Sequence, residues 1–379
     1  MAIANLAYDI AEDRIHLLSN IAYDIVENRV FFLRGLAYDS LAENYKGQPR
    51  DSRGRFGSGG GSGGTFDPEA DTNEDGVADG ARVGVPADQV PPPPKVARLP
   101  NLNTKERVAE EAFATAYESN PEGVASNFRE LVSANTKPGE PKTFSTDEAK
   151  ALTDVWSKPP PEERAINRST LNTPLHQTAN AVAKKAFIQE LDTLKPGDEI
   201  LVTAGGCGAG KGYALKNIPD AQKVKKKSKV VWDSAGDQNA TENPWVQREA
   251  EARGLKVNYV YIHADPKVQW ADPKRGILKR ASNPKNGRMV DAKVFADSYT
   301  LGAKNHEAFH QNNKGNSSAK FLFIDNTKAP KKITRIPRSG LNLDKGELVK
   351  FATDTVKTSN VPDHIKSGAL AGHRIWGDG

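Results

Sequence analysis

Cysteine and long apolar runs are almost absent from this sequence. Cys207 is the one cysteine among 379 residues, which excludes an internal disulfide framework. No uninterrupted apolar run is long enough to cross a bilayer, and the first residues lack the pattern of a signal peptide. The sequence therefore predicts a cytoplasmic protein with no membrane partner, or a component of a virus particle that is made in the cytoplasm.

Apolar residues in general are also scarce. Hydrophobic residues make up 37% of the chain, which has 32 glycines and 24 prolines, so part of its length is expected to lie outside any packed core. The length allows two or three domains, or one domain with long appendages. The formal net charge of +5 is a mild positive excess, which favours anionic partners without identifying one.

Three short repeats occupy the N-terminal region. Leu6-Ala7-Tyr8-Asp9 recurs as Ile21-Ala22-Tyr23-Asp24 and as Leu36-Ala37-Tyr38-Asp39, at a spacing of fifteen residues. Fifteen residues are close to four helical turns, so the tyrosines would drift only slowly around one face of a helix. Residues 1–46 are therefore predicted to form a helical interaction arm. The alternative is a duplicated segment with no fixed structure.

Residues 47–100 have the composition of a flexible linker. A glycine- and serine-rich stretch is followed by Pro91–Pro94, which stiffens the chain as polyproline II. The preceding segment, Gly47–Phe56, resembles linkers in bacteriophage head-associated proteins. This resemblance implies a phage or prophage origin.

An acidic stretch within the linker has the spacing of a calcium loop. Side-chain oxygens stand at alternate positions with Gly76 at the sixth, as in EF-hands, dockerins and thrombospondin type 3 repeats. The twelfth position is Arg82, where an EF-hand has its bidentate glutamate. The stretch is either a Ca²⁺ site or a solvated acidic turn. The residues that would bind Ca²⁺ are Asp71, Asn73, Asp75 and Asp79.

The remainder of the chain divides by its hydrophobic periodicity. Helical patterns predict a helical lead-in over residues 101–195, with a long helix over 175–194 that covers a sheet. Four strand-like runs alternate with helical ones over 196–337, and 338–379 read as a C-terminal tail with one helix from Asp344 to Lys357. The four predicted strands are Glu199–Ala204, Lys229–Trp232, Lys256–His263 and Lys320–Ile324.

This alternation predicts an α/β fold, a parallel sheet with helices on both faces. Such sheets bind ligands beyond the carboxyl ends of their strands. The acidic residues at those ends are Asp233, Asp265 and Asp325. The full prediction is a P-loop NTPase-like sheet with a helical lead-in and a flexible N-terminal arm.

A glycine-rich loop follows the first strand of this sheet. Gly205–Gly212 contains five glycines and Lys211, and a helix can start after it, which is the context of a phosphate-binding P-loop. Glycines let backbone N–H groups approach phosphates closely, and the lysine supplies a positive charge. The residues expected to hold the phosphates are Gly205, Gly206, Gly208, Ala209, Gly210, Lys211, Gly212 and Tyr213.

The loop departs from the P-loop pattern at its last position. Gly212 stands where a Ser or Thr hydroxyl normally binds Mg²⁺, so the metal would be held through water, another side chain or the phosphates alone. The alternative interpretation is a glycine-rich strand-to-helix turn with an ordinary surface lysine.

Several motifs follow this loop in order. An acidic residue ends the second strand, two basic segments come next, and an Asp-Asn-Thr sequence follows the last strand. These motifs are Asp233, Arg275–Arg280, Gly287–Val290, Ser298-Tyr299, Asn305 and Phe323–Thr327. Over residues 175–335 the arrangement resembles the zeta toxin-like P-loop kinases.

This resemblance implies an enzyme that phosphorylates a hydroxyl of a small molecule with ATP and Mg²⁺. In characterised members of the family the acceptor is the nucleotide sugar UDP-N-acetylglucosamine, and an antitoxin or a virion protein is a further possible partner. By position, Lys211 would hold the β and γ phosphates, and Asp233 would orient or deprotonate the acceptor. Arg280 and Arg288 would neutralise the transferred phosphoryl group.

Alternative roles stay open for these residues. Asp233 could cap a turn, and the two arginines could form surface ion pairs. Asp237 is a second candidate for the base. The stretch after Asp233 is shorter than the family's substrate-binding insert, which leaves the acceptor undefined; Asp237, Asn239 and Glu242 are candidates to contact it.

Three other functions compete with a kinase. His306-Glu307-Ala308-Phe309-His310 matches the H-E-x-x-H pattern of zinc metallopeptidases, although no third ligand follows it. A virion structural or delivery protein with an ATP-binding but inactive site is compatible with Gly212 and with the N-terminal appendages. The run Lys223–Lys229 could contact nucleic acid, but without interleaved aromatics it is more typical of a solvated face.

Overall fold

The computed structural model describes residues 15–18, 21–24, 29–32, 96–235, 239–274, 276–283 and 287–376. The chain divides into two compact units, residues 1–97 and residues 98–379. The predicted calcium-loop residues Asp71, Asn73, Asp75 and Asp79 lie outside the described residues, as does the base candidate Asp237.

The described part of the first unit is a three-stranded antiparallel sheet. Its strands are β1 (Ile15–Leu18), β2 (Ile21–Asp24) and β3 (Arg29–Phe32), in the order β1-β2-β3. Leu18 lies opposite Ile21, so two residues connect β1 to β2, which is a length typical of β-hairpins. The prediction of a helical arm is therefore wrong for these residues. Isoleucine, valine and aromatic residues dominate the three segments and favour strands, while the fifteen-residue spacing fixes no particular structure.

The second unit is built on a six-stranded sheet in the order β4-β6-β5-β7-β8-β9. Pairing is parallel throughout, except that β9 runs antiparallel to β8 at one edge. The strands are β4 (Lys142–Phe144), β5 (Glu199–Ala204), β6 (Ser228–Asp233), β7 (Lys256–His263), β8 (Ala319–Asp325) and β9 (Lys331–Ile333). The predicted α/β fold with a mostly parallel sheet is confirmed. The two short edge strands were not predicted.

Sixteen helices accompany the sheet in the described part of this unit. The first eight are α1 (Thr104–Ser119), α2 (Pro121–Asn135), α3 (Thr146–Ala149), α4 (Asp154–Ser157), α5 (Pro161–Thr170), α6 (His176–Leu191), α7 (Lys211–Asn217) and α8 (Pro219–Lys227). The others are α9 (Asn239–Ala252), α10 (Pro266–Ala271), α11 (Ile277–Ala281), α12 (Ala292–Asn312), α13 (Arg338–Leu341), α14 (Lys345–Thr358), α15 (Asp363–Ala369) and α16 (Ala371–Trp376). Within the described ranges, none of them has both the length and the apolar composition of a bilayer-spanning helix.

Local sequence accounts for where the predicted helices begin. The Asn103 side chain accepts a hydrogen bond from the Glu106 N–H, and the Glu106 carboxylate accepts one from the Asn103 N–H, which forms a capping box at α1. Asp344 caps α14 in the predicted place. Within the predicted helical lead-in, extended Thr153 separates the short helices α3 and α4.

Helix α6 covers one face of the sheet, as predicted. Phe187 on α6 is fully buried, and its ring centroid lies 5.2 Å from that of Trp232 on β6 and 5.9 Å from that of Trp245 on α9. A third ring, Phe144 on β4, packs edge-on against Phe187 at 5.9 Å. This aromatic cluster joins the lead-in helices to the sheet through apolar contact.

The C-terminal segment also belongs to this unit. Leu348, Ala352 and Val356 of α14 pack in one cluster with Phe295 of α12, and Ile375 of α16 packs on Leu99. The predicted boundaries at 195/196 and 337/338 therefore do not separate compact units. The predicted tail is part of the core, because its apolar residues cover helix α12.

The first histidine of the H-E-x-x-H motif lies in the interior of this core. His306 on α12 is fully buried, with its ring centroid 4.9 Å from that of Tyr261 and 5.7 Å from that of Phe323. His310 packs at 4.7 Å from Phe321. In the described part of the chain, no group of three or more His, Cys, Asp or Glu side chains is arranged to hold a metal. His306 is thus a core residue and His310 a partly exposed one, and they are spaced one helical turn apart because both pack on the same sheet.

Acid is expected to destabilise the fold through His306. Burial lowers the pKa of His306 to about 3, whereas an unfolded histidine titrates near about 6.5. Below about pH 6.5 the unfolded chain therefore binds a proton at His306, whereas the folded chain keeps this imidazole neutral. Acid thus favours the unfolded state. Stability contributed by this residue is complete above about pH 6.5 and falls by about 2 kcal/mol between pH 7 and pH 5. Urea unfolding of the native chain and of His306→Phe at both values measures this. A pH dependence that is identical in the two proteins would contradict the assignment.

Candidate functional site

The carboxyl ends of two central strands bring the first site residues together. Thr203 on β5 and Asp233 on β6 are directly opposed in the parallel register. The Thr203 hydroxyl donates a 2.5 Å hydrogen bond to Asp233 Oδ1. Because both residues sit at the carboxyl edge, the aspartate points to the side of the sheet where ligands bind in open α/β folds.

Residues 205–210, the glycine loop, follow β5 at this edge. Gly208 has φ +81°, and a Cβ there would lie 2.5 Å from Arg280 Nη2. Gly206 lies against Tyr299, and a Cβ on it would be 2.4 Å from the ring. The positive φ favours glycine at position 208, whereas at position 206 the Tyr299 ring leaves no space for a Cβ.

Side chains distant in sequence hold the glycine loop in place. The Asn326 amide donates to the Ala209 carbonyl at 2.8 Å, and the Tyr299 hydroxyl donates to the Cys207 carbonyl at 3.1 Å. The Cys207 N–H donates to Ser298 Oγ at 2.9 Å. The sequence motifs Ser298-Tyr299 and Phe323–Thr327 therefore lie beside the loop and fix its shape.

Lys211 begins α7 immediately after the loop. Its Nζ donates to the Ser234 carbonyl at 2.8 Å and lies 3.5 Å from Asp233 Oδ1. The lysine is one-fifth exposed and Asp233 about a third exposed. The candidate lysine and the candidate acid are thus adjacent to each other and open to solvent.

A single cavity contains the four predicted catalytic residues. Lys211, Asp233, Arg280 and Arg288 all line it, together with Cys207 and Gly208 of the glycine loop. The other lining residues come from the lead-in, from the end of β6 and the segment after it, and from α11 and the segment after it: Ser145, Thr146, Asp147, Lys150, Asn172, His176, Trp232, Ser234, Ala235, Glu242, Ile277, Val290 and Val294. Four distant parts of the sequence converge here.

The two arginines occupy different parts of the wall. Arg280, near the end of α11, lies against Gly208. Arg288 lies in the irregular segment before α12 and pairs with the Asp147 carboxylate. The alternative predicted for the arginines was a surface ion pair. Arg288 does form an ion pair, but both of its members line the cavity.

The lead-in contributes polar residues that the sequence did not single out. Lys150 has no exposed side-chain surface, and its Nζ donates to Asn172 Oδ1 at 2.6 Å and to Asp147 Oδ1 at 3.1 Å. Burial lowers the pKa of Lys150, an effect that the Asp147 charge opposes. Desolvation and the Lys150 charge lower the pKa of His176 to about 3, so this imidazole is neutral at neutral pH. Nothing in the spacing of these residues marked them as a group.

The predicted acceptor contacts have different outcomes. Glu242 lines the cavity but is buried, and its carboxylate accepts a 2.7 Å hydrogen bond from Ser234 Oγ. Lys184 Nζ lies 3.7 Å from the same carboxylate group. Asn239 begins α9, but only its backbone is described. Glu242 is therefore placed to hold the loop after β6, with Ser234 between it and Lys211.

Gly212 and Tyr213 lie on the outer side of the loop. A Cβ at Gly212 would meet no atom within 4 Å, so no packing excludes a side chain there. Tyr213 is 57% exposed and does not line the cavity. Both are solvent-facing positions of α7.

Comparison with known proteins gives no match for this chain, either among protein-family models or among curated proteins.

Two glycine-to-alanine changes test the geometry of the loop. Gly206→Ala places a methyl group against the Tyr299 ring and is expected to cost about 1–3 kcal/mol of stability. Gly212→Ala is the matched control, because its methyl group enters open space on a helix and should stabilise by up to about 1 kcal/mol. Urea unfolding of the three proteins measures both effects. Equal stability of the two variants would contradict the described packing.

Proposed function

We propose that this chain is an ATP-dependent phosphotransferase with a P-loop, whose acceptor is a hydroxyl of a small molecule. The observation that supports this most is the shared cavity: Lys211, Asp233, Arg280 and Arg288 line it beside the glycine loop. A lysine, a carboxylate and two guanidinium groups around one space are groups that enzymes use for phosphoryl transfer.

The cationic residues suit the triphosphate. Lys211 follows the loop and would bind the β and γ phosphates in exchange for its contact with the Ser234 carbonyl. Arg280 lies against Gly208, where its guanidinium can reach the transferred group, and Arg288 faces the same space from the other wall. Positive charge on both sides of the phosphoryl group stabilises its transition state more than the ground state. Mg²⁺ bound with ATP would screen the same phosphates, with oxygen ligands from ATP and water, since Gly212 has no hydroxyl.

Asp233 suits the acceptor side. Its Oδ1 is fixed by Thr203 and faces Lys211, so the carboxylate is oriented. In the proposed reaction the acceptor oxygen forms a bond to the γ phosphorus and the bond to the β–γ bridging oxygen breaks. ADP leaves with the electron pair, and the acceptor proton passes to Asp233.

The acceptor and the biological setting follow only from resemblance. The zeta toxin-like order of motifs suggests a nucleotide sugar such as UDP-N-acetylglucosamine, in the cytoplasm of a host, with an antitoxin as partner. The phage-like linker suggests a phage or prophage gene and association with a virion. Both suggestions are part of this proposal.

A second candidate is a virion protein that binds ATP without turning it over. Gly212 favours it, because the loop lacks the hydroxyl that binds Mg²⁺ in most P-loops. The same experiment separates the two candidates.

Transfer of labelled γ-phosphate tests the proposal. The native chain with ATP and Mg²⁺ is expected to label an acceptor in a panel of nucleotide sugars, nucleosides and short oligonucleotides. Lys211→Ala and Asp233→Asn should each lower kcat/KM by at least about 100-fold, since they remove charge contacts made in the transition state. Lys216→Ala, on the same helix but outside the cavity, is the matched control.

Two results would contradict a kinase. Native protein that binds ATP but labels no acceptor would favour the ATP-binding virion protein. Transfer that survives in Asp233→Asn would remove the proposed base.

Gly212→Ser tests how the loop handles its metal. The variant restores the hydroxyl at a position with free space, so it should lower the Mg²⁺ concentration for half-maximal ATP binding by about 10-fold. Calorimetric titration of ATP at a series of Mg²⁺ concentrations measures this, with Gly212→Ala as control. An unchanged Mg²⁺ requirement would place the metal away from residue 212.

A further inference from the structure

A closed ring of contacts connects the lead-in to the segment that carries Arg288. Lys150 Nζ donates to Asp147 Oδ1 and to Asn172 Oδ1, and the Asn172 amide donates to the Met289 carbonyl at 3.2 Å. The ring is completed by the Arg288 guanidinium, which pairs with the same Asp147 oxygen. We call Asp147, Lys150 and Asn172 the lead-in clamp.

The clamped segment has no regular structure of its own. Residues 287–290 lie between α11 and α12 without helix or strand. Gly287 starts it against the end of α11, where a Cβ would lie 2.3 Å from the Ala281 carbonyl oxygen, and its N–H donates to the Asn283 carbonyl at 2.7 Å. Arg288 thus extends from an irregular segment, and contacts from outside must fix its direction.

The clamp holds this segment at two points. Asp147 holds the Arg288 side chain, and Asn172 holds the main chain at the next residue. A side-chain contact alone would leave the backbone free to shift, whereas two contacts on adjacent residues restrict both position and direction. Since Asp147 and Asn172 both line the cavity, the Arg288 segment is held in place at the cavity wall.

The charges of the clamp keep it assembled at neutral pH. Desolvation by itself would raise the pKa of the Asp147 carboxyl, but the charges of Arg288 and Lys150 outweigh it and hold that pKa well below its usual range. The carboxylate therefore stays ionised and able to pair. Lys150 contacts the same oxygen, Oδ1, that Arg288 pairs with, and so helps to fix the position of the carboxylate.

Stability alone gives a poor reason for this arrangement. Lys150 is completely buried, and replacing buried ion pairs with apolar residues of similar size is often neutral or stabilising. Burying the charged Lys150 between a carboxylate and an amide costs free energy of desolvation. What the arrangement provides is a fixed geometry for the Arg288 segment. This points to a role in the site.

We propose that Asp147, Lys150 and Asn172 are positioning residues that aim the Arg288 guanidinium at the transferred phosphoryl group. The proposal rests on the proposed phosphotransferase function. It makes the helical lead-in part of the active site, and a chain that begins at the sheet would lack an oriented Arg288. An error of about 1 Å in such a group costs about 100-fold in rate.

A double-mutant cycle on kcat tests the proposal. Asp147→Asn keeps the size of the side chain and removes its charge, and it should lower kcat by at least about 10-fold with less than about threefold change in KM for ATP. In the Arg288→Ala background the same change should alter kcat by less than about twofold, because the group it positions is gone. Additive losses in the cycle would overturn the proposal.

Two further variants separate positioning from folding. Lys150→Met retains the volume of the buried side chain without its charge. It should reproduce the loss of kcat under conditions where thermal unfolding shows the variant to be fully folded, although removal of one partner from the buried network lowers its melting temperature. Asp154→Asn is the matched control, since Asp154 pairs with Lys158 at the surface, outside the cavity. A kcat of Lys150→Met equal to that of the native chain would contradict the role of Lys150.

A measurement without turnover distinguishes failure of the clamp from failure of the proposed function. In protein labelled with ¹⁵N at arginine Nε, the Arg288 signal, assigned by Arg288→Lys, should show restricted motion in the native chain and in Asp154→Asn. In Asp147→Asn it should become mobile. If the Arg288 side chain is as ordered in Asp147→Asn as in the native chain, the proposed role of the clamp is wrong, whether or not the protein transfers phosphate. An ordered native signal that is lost in Asp147→Asn, in a chain that transfers no phosphate, supports the clamp and counts against the phosphotransferase.

Discussion

Parallel pairing of the central strands is the constraint on which the site depends. Because β5 and β6 run in the same direction with Thr203 opposite Asp233, the glycine loop and the acidic residue emerge at one edge, side by side. Lys211 then needs only the length of its own side chain to reach Asp233. A shift in this register would separate the Lys211 ammonium from the Asp233 carboxylate, so the site would be lost even though its residues were unchanged.

The rest of the unit supports this edge from two directions. Ser298, Tyr299 and Asn326 hold the glycine loop from α12 and from the end of β8, so the loop keeps its shape before any ligand arrives. The lead-in closes the other side and holds Arg288. Preorganisation of this kind reduces the reorganisation that a reaction would otherwise require. The aromatic packing of Phe187 on Trp232 fixes the lead-in to the same strand that carries Asp233.

Sequence reasoning succeeded where a local pattern has one physical meaning. The apolar run Glu199–Ala204 followed by glycines predicted both a strand and the loop after it, and Asp344 marked the start of a helix that its side chain caps. It failed where the decisive contacts are distant in sequence. Asp147 and Arg288 are far apart in the chain, and no local spacing shows that they pair.

The prediction of a helix for the N-terminal repeats failed for a different reason. A spacing near four helical turns is equally compatible with short strands, and the β-branched and aromatic residues of these segments favour strands. His306 and His310 showed the limit of motifs, since one-turn spacing also describes two residues facing a sheet.

The most direct test of the account is a crystal structure of the full chain with Mg²⁺ and a non-hydrolysable ATP analogue. The account predicts a γ-phosphate within hydrogen-bond distance of Lys211 Nζ, between the guanidinium groups of Arg280 and Arg288, with Asp233 facing it across the open part of the cavity. An analogue bound away from the glycine loop, or phosphates in the loop with both arginines turned away, would contradict it.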